Sequence, residues 1–374
     1  MKRPLDYFAF TMPGLESTAF TELRMRCEDA RQIRFARGAA FFQTAATPAQ
    51  LMEMRSTEDI FAQLAYIPKL SAGKPTPSKI KNTSARVPKS PLAENALRAL
   101  YGAAKKIDVS AALLLWSQAH KMKPPRSWRV VAQMTGNHDF RRVDAGDTLR
   151  AALRDMFPPK IKEQDDEADL EIWLRLFYGE AIVGVRLSGA EMRHRLYKTE
   201  HIEGSLRPSI AAAMALLSDP RTEDIVIDPL CGAGTVIIER CLWGSYAAAY
   251  AGDRDAAILQ TAKWNAAQAK AKIEWQVEDA CNLHFADGMA HKIITNLPFG
   301  KKVGSLEENA RSYPEFEREF RRILAPGGLL VTLTSDFNHW RDLLVAQNWV
   351  IKKTVVVVAL GQPATISVAQ KPAQ

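Results

Sequence analysis

Two short stretches of this 374-residue chain carry residues whose types and spacing could do chemistry. Residues 224–235 read D-I-V-I-D-P-L-C-G-A-G-T, and residues 295–300, about sixty positions later, read T-N-L-P-F-G. In the first, Ile225, Val226 and Ile227 form a buried-strand pattern that runs into a glycine loop. Gly232 and Gly234 allow a tight turn with no Cβ in the way, so the backbone can approach a ligand closely. A dinucleotide fingerprint would need a third glycine three residues on, and position 237 is Ile, which weakens a nicotinamide reading. In the second, the side-chain oxygen of Asn296 and the carbonyl of Leu297 are acceptors able to hold the N–H groups of a planar amine. Pro298 stiffens the loop, and Phe299 offers a ring on which a nucleobase could stack. Such an amine is a poor nucleophile because its lone pair is delocalised. Holding its hydrogens turns the lone pair outward, and the chemistry becomes mainly positioning, with no cysteine nucleophile and no metal.

Two further acidic positions follow strand patterns. Asp253 ends the next strand, where a carboxylate can accept from two ribose hydroxyls, while Asp255 is equally suited to cap the following helix. The third strand runs into Glu278-Asp279-Ala280.

The elements that must position these residues read as an α/β pattern. Strand-like segments at 224–228, 247–253, 273–277, 292–296, 328–334, 354–360 and 364–369 alternate with helical ones. The last two are joined by Gly361-Gln362-Pro363, too short for a parallel crossover, so they are expected to form an antiparallel hairpin. A helix capped by Ser205, with Pro208 in its first turn, opens this unit. Upstream, residues 1–70 mix strands (7–11, 38–42, 60–67) with helices at 15–27 and, capped by Thr47, 48–54. Residues 71–91 hold four prolines and five basic residues but no Asp or Glu, and read as a linker or an exposed basic loop. Residues 92–190 form a second unit with helices at 92–105 and 145–156 and strands at 128–134, 170–178 and 180–187.

The bulk numbers bound the partners. The chain is long enough for two or three domains, and 47% hydrophobic with 25% charged residues is ordinary for a folded protein. A net charge of +8 is compatible with an anionic partner such as nucleic acid, or with solubility alone. The four cysteines form no C-x-x-C pair, so neither a zinc site nor a disulfide framework is expected. No signal-peptide pattern and no apolar run of about 20 residues is present, which suggests a cytoplasmic protein with no membrane association.

The D-P-L-C-G-A-G-T loop together with N-L-P-F resembles the S-adenosylmethionine (SAM) loop and amine-presenting loop of class I nucleic-acid aminomethyltransferases. Leu297 stands where that family usually has proline. In the front half, M-P-G-L-E-S-T-A-F-T-E-L at 12–23 and W-R-V-V-A-Q-M onward at 128–157 resemble THUMP-domain proteins. The resemblance spans nearly the whole chain and is nearest to THUMP-bearing RNA guanine-N2 methyltransferases that act on a tRNA acceptor-stem guanosine.

It implies a multidomain α/β and α+β fold: a ferredoxin-like domain at 1–70, a THUMP RNA-binding domain at 92–190, a linker at 191–204, and a Rossmann-like class I methyltransferase domain at 205–374. That last domain would carry a seven-stranded, mostly parallel sheet. The implied catalytic set is Asn296, Leu297, Pro298 and Phe299, acting on a base flipped from its helix. The implied SAM contacts are Asp228, Pro229, Cys231, Gly232, Ala233, Gly234 and Thr235 in the first loop. Asp253, Arg254 and Asn296 are also implied, as are Asp279, which would accept from the adenine amine, and Ala280. Leu206 and Arg207 could line the same pocket. Arg141, Arg142, Arg193, Arg195, Lys301 and Lys302 are candidates for RNA phosphates.

A monomer is expected, since one copy of each domain can grip and reach one RNA. The amine motif alone also serves adenine N6 and cytosine N4. The rivals are a ribosomal RNA or tRNA-core guanine enzyme, an RNA-binding protein with a silent methyltransferase domain, and a small-molecule methyltransferase.

Overall fold

The computed structural model describes residues 4–70, 90–200, 202–299 and 306–373. Lys301 and Lys302, and all but the end of the basic segment at 71–91, lie outside the described residues.

The front half builds one sheet of eight strands: β1 (Leu5–Phe10), β2 (Arg31–Ala36), β3 (Ala39–Thr44), β4 (Asp59–Ile67), β5 (Ser127–Thr135), β6 (Lys162–Glu163), β7 (Leu170–Phe177) and β8 (Glu180–Arg186). Their spatial order is β2-β3-β1-β4-β8-β7-β5-β6, and β4 and β8 pair antiparallel from Phe61–Arg186 to Ile67–Ala181. The two units read separately in the sequence therefore share one sheet, with β4 as the seam. Helices α1 (Glu16–Arg26), α2 (Pro48–Leu51), α3 (Pro91–Ala104), α4 (Val109–Ala119) and α5 (Arg142–Leu153) supply its main core. That core joins Leu23, Leu97, Leu100, Trp116 and Leu149 to alternate strand residues such as Tyr7, Ile172, Leu174 and Val183. The other face of the sheet carries a smaller aromatic cluster of Phe8, Phe41 and Phe61, with Phe10 and Trp173 against it, and no helical residue belongs to it. The period of two along each strand separates the two sets.

Two short helices, α6 (Glu191–His194) and α7 (Pro208–Leu217), lead to the second sheet. Pro208 sits in the first turn of α7 as expected, but its N-cap is Arg207, with no side-chain cap bond, rather than Ser205. The second sheet comprises β9 (Ile225–Asp228), β10 (Ala248–Asp253), β11 (Glu274–Val277), β12 (Ala290–Asn296), β13 (Leu324–Thr334), β14 (Val350–Ala359) and β15 (Gln362–Gln370). Helices α8 (Thr235–Trp243), α9 (Ala256–Ala269), α10 (Leu306–Ile323) and α11 (Phe337–Ala346) connect them. The order is β11-β10-β9-β12-β13-β15-β14; β15 runs antiparallel to both β13 and β14. Leu360 and Gly361, both at positive φ, make the two-residue turn of that hairpin.

The decisive feature is the reversal between β9 and β12. From β9 the chain steps outward through β10 to β11, then returns to place β12 on the other side of β9. The loops leaving these two strands diverge and open a crevice at the carboxyl edge, where open α/β sheets bind ligands.

Candidate active site

Both sequence motifs leave the sheet at this switch point. The β9 loop begins at Asp228 and ends at Gly234, the residue before α8. Gly232 and Gly234 have φ of +51° and +76°, a region that L side chains rarely enter. At Gly234 space is limiting too: a Cβ would lie 3.2 Å from Ala262 Cβ and from the Trp275 ring. The loop is stitched to the neighbouring strand. Cys231 N–H donates to the Gly252 carbonyl at 2.9 Å, and Gly232 N–H donates to Asp253 Oδ2 at 3.1 Å. Asn265 Nδ2 on α9 donates to the Ala233 carbonyl at 3.2 Å. Pro229, Cys231, Ala233 and Thr235 are buried, and the Thr235 hydroxyl has no partner among the described residues. Burial raises the Cys231 thiol well above its ordinary range, so it is an inert packing group.

Asp253 accepts from two backbone amides, those of Gly232 and, at 3.1 Å, Asp255. The ambiguity between the two acids resolves by geometry: Asp255 caps α9 through the amides of Ala257 and Ile258, while Asp253 faces the glycine loop. Arg254 is exposed. Asp279 is also exposed and accepts from Cys281 N–H at 2.9 Å, which fixes the turn that buries Ala280. The residue before it was missed by sequence reasoning. Glu278 lies against Gly252, holds His284 Nδ1 at 2.6 Å, and leaves its second oxygen buried without a partner.

The β12 loop is held from three directions. Leu297 N–H donates to the Leu333 carbonyl at 3.0 Å. The Pro298 carbonyl accepts from Asn309 Nδ2 at 3.0 Å and Tyr313 Oη at 2.7 Å, and Tyr313 also meets Thr334 at 2.8 Å. Ser335 Oγ donates to the Phe299 carbonyl at 3.1 Å. Asn309, Tyr313 and Ser335 carried no sequence signal, because they come from α10 and the end of β13. Thr295 Oγ1 crosses to Asp228 Oδ1 at 2.8 Å and joins the two loops. Asp228 is fully buried, its other oxygen is unpartnered, and burial pushes its carboxyl up to about 7. Asn296 Oδ1 is likewise buried and without a partner. Buried acceptors with no partner among the described residues thus stand on both loops.

Several expected roles need correction. Phe299 is 5% exposed and packs in the core beside Leu206 and Cys231, so its ring offers no open stacking face here. Leu297 has its side chain in the core on the opposite side of the sheet. Arg195 is no phosphate ligand. Its side chain is 8% exposed, pairs with Glu239 at 3.1 Å, and donates to the carbonyls of Met192 and Arg55. Arg193 is spent on Asp59 and Glu58, and Arg207 pairs with Glu58 at 3.0 Å rather than lining the crevice. The stretch expected as a linker at 191–204 is thus a built junction: Arg193 neutralises Glu58 and Asp59 at the start of β4, and Arg195 pairs with Glu239 on α8. Arg141 and Arg142 remain exposed on α5 and before it. Arg141 pairs with Asp144, and Arg142 donates to the Ala132 carbonyl.

Among the described residues no cluster of three His, Cys, Asp or Glu is arranged to hold a metal, and no helix is long and apolar enough to cross a membrane.

Among solved structures, TrmN from Thermus thermophilus superposes with a TM-score of 0.77 at 24% identity, covering 98% of this chain and 99% of that one; this shows a shared fold. The tRNA (guanine(6)-N2)-methyltransferase of Methanocaldococcus jannaschii is 23% identical over 401 residues, 96% of this chain and 97% of that protein. The human tRNA (guanine(6)-N(2))-methyltransferase THUMP3 is 32% identical over 248 residues, 62% of this chain; the chain spans about half of that relative's length, 48%. The family model described as UPF0020: RMKL-like, methyltransferase domain matches residues 195–363. Both loops and the switch point fall within that stretch, and residues 195–363 are similar to the methyltransferase domain of the UPF0020, RMKL-like family.

Proposed function

We propose that this protein is a SAM-dependent tRNA (guanine-N2)-methyltransferase. The observation that carries the reading is the pair of coupled loops at one switch point, with Asn296 Oδ1 buried and unpartnered beside the glycine turn. When bound, SAM supplies a methyl group on a sulfonium that an amine nitrogen can take. The residues present fit that cofactor: Gly232 and Gly234 leave the backbone bare, and Asp253 stands at the loop with lone pairs for the ribose hydroxyls. Asp279 and the Ala280 amide are assigned to the adenine, and Pro229, Cys231, Ala233 and Thr235 shape the wall. Arg254, exposed beside Asp253, is retained as a flanking contact.

On the substrate side, Asn296 Oδ1 and the Leu297 carbonyl accept the two amine hydrogens of the guanine. Tyr313 and Asn309 fix the Pro298 carbonyl and so keep the loop rigid, which would hold a bound amine in one orientation. Asn296 Oδ1 and the Leu297 carbonyl would hold the amine while it takes the methyl group that bound SAM supplies and gives up one proton to solvent. The target base reaches this crevice by flipping, and Phe299 contributes by packing the loop from behind. In the front half, 92–190 acts as the THUMP RNA-binding domain beside a ferredoxin-like 1–70. The substrate site is an acceptor-stem guanosine, and the protein works as a cytoplasmic monomer.

The test is methyl transfer from labelled SAM to unmodified tRNA and, separately, to ribosomal RNA, followed by nucleoside mass spectrometry, with Asn296→Ala alongside. N2-methylguanosine in tRNA, lost in the variant, is the expected result. Product only in ribosomal RNA would keep the chemistry and overturn the substrate. Bound SAM without transfer to either would support a silent domain.

A further inference from the structure

One strip of the front sheet stands apart from the catalytic crevice. Arg175, on β7, is 9% exposed, yet no carboxylate among the described residues pairs with it and its Nη1 has no acceptor. The segment 71–89, outside the described residues, contains no Asp or Glu in its sequence. The guanidinium instead lies 4.7 Å from the ring of Phe10 and 5.6 Å from that of Phe177. Burial, and the charge of Arg34, lower its proton affinity. Three other arginines on this face have carboxylate partners: Arg34 has Glu180, Arg129 has Glu171, and Arg186 has Asp59 and Glu171. A buried cation without a counter-ion costs stability, so its presence needs another cause.

Three residues along, Tyr178 provides an independent observation. It is 71% exposed and sits at φ +46° in the two-residue turn joining β7 to β8, followed by Gly179 at +91°. Asn or Asp is the favoured residue there, and a bulky ring is strained. The ring stands edge-on to Phe177, with centroids 4.8 Å apart, and leans on Gly136, where a Cβ would come within 2.8 Å of it. The fold therefore holds an aromatic ring open to solvent beside an uncompensated positive charge.

We propose that the Arg175–Phe177–Tyr178 strip binds one nucleotide of a single-stranded RNA segment, with Tyr178 stacking the base and Arg175 taking the phosphate. A phosphate oxygen both neutralises the cation and, after a side-chain shift that uncovers Nη1, accepts from it. An aromatic face accepts any base, so the site grips without reading sequence. This assignment rests on the RNA-substrate reading above.

The test uses the full chain, fluorescence anisotropy with a labelled tRNA transcript and a short single-stranded oligoribonucleotide, and two variants chosen to relieve the local strain. Arg175→Met replaces the charge with an apolar chain; Tyr178→Asn supplies the residue that the turn prefers. Both are expected to keep or raise Tm and leave SAM affinity unchanged. Arg175→Met should weaken RNA binding about tenfold or more and flatten the logarithmic salt dependence by about one unit. Tyr178→Asn should weaken it by about fivefold or more. RNA affinity within about twofold of wild type in both variants would overturn the proposal, because it would leave Arg175 and Tyr178 purely structural. Should Arg175→Met fail to fold, Tyr178→Asn decides alone. If the wild-type chain binds no RNA, the functional reading fails first; if it binds and methylates RNA while both variants match it, only this strip is refuted.

Discussion

The junction between the two sheets and the carboxyl edge of the second sheet both bury acidic groups completely, and they treat them in opposite ways. At the junction Glu239 is 0% exposed and shared by Arg55 at 2.7 Å, Arg195 at 3.1 Å and the Tyr197 hydroxyl at 2.9 Å. Glu58 and Asp59 are similarly saturated by Arg207, Arg193 and Arg186. At the carboxyl edge Asp228 keeps one oxygen without a partner among the described residues, as does Asn296. A saturated network resists movement of one domain against the other, whereas an orphaned acceptor costs stability until a ligand arrives. The contrast separates groups already spent within the fold from groups that still have an acceptor to offer.

The contrast can be broken most strongly at Glu239. Glu239→Ala leaves Arg55 and Arg195 facing each other without their carboxylate and should cost about 3–5 kcal/mol in urea denaturation. A loss below about 1 kcal/mol would mean that the junction is not what unites the halves. Asn296→Ala should do the reverse, lowering kcat about a hundredfold or more with Tm nearly unchanged. A large drop in Tm there would show that Asn296 belongs to the structural class. Asp253→Ala removes a carboxylate that organises the glycine loop, and calorimetry should report SAM binding weakened by about tenfold or more.

A further test is a pH dependence at Asp228. Its carboxyl, raised from 3.8 to about 7, binds a proton more tightly in the folded than in the unfolded chain. Its stabilising contribution is therefore complete below the unfolded value and is lost as the pH rises through about 7. Asp228→Asn should shrink the fall in Tm between about pH 5 and pH 8; an unchanged fall would assign that slope to other groups.

Much of this was legible without coordinates, and the reason is local. The glycines at 232 and 234 announce left-handed backbone, the apolar runs before Asp228 and Asn296 announce buried strands, and the short segment at 361–363 points to an antiparallel end, although the turn itself falls at 360–361. Thr47 completes a capping box with Gln50, as its position before Pro48 suggested. What failed were assignments that depend on distant partners. Arg193 and Arg195 look like phosphate ligands in a basic string until Glu58, Asp59 and Glu239 are brought beside them from far along the chain. Phe299 looks like a stacking platform until the core closes over it. Strand β2, helix α4 and strand β6 had no clear period and were not anticipated.

The sequence by itself determined the chemistry on offer: a glycine turn able to approach a ligand, an amide and a carbonyl able to hold an amine, and an alternation that requires a sheet. These follow from backbone freedom and side-chain type, which act over a few residues. Only the tertiary structure decided which polar groups are spent and which are free. Satisfaction of a buried charge or acceptor depends on groups separated by tens to hundreds of residues, such as Arg55 and Glu239 or Thr295 and Asp228.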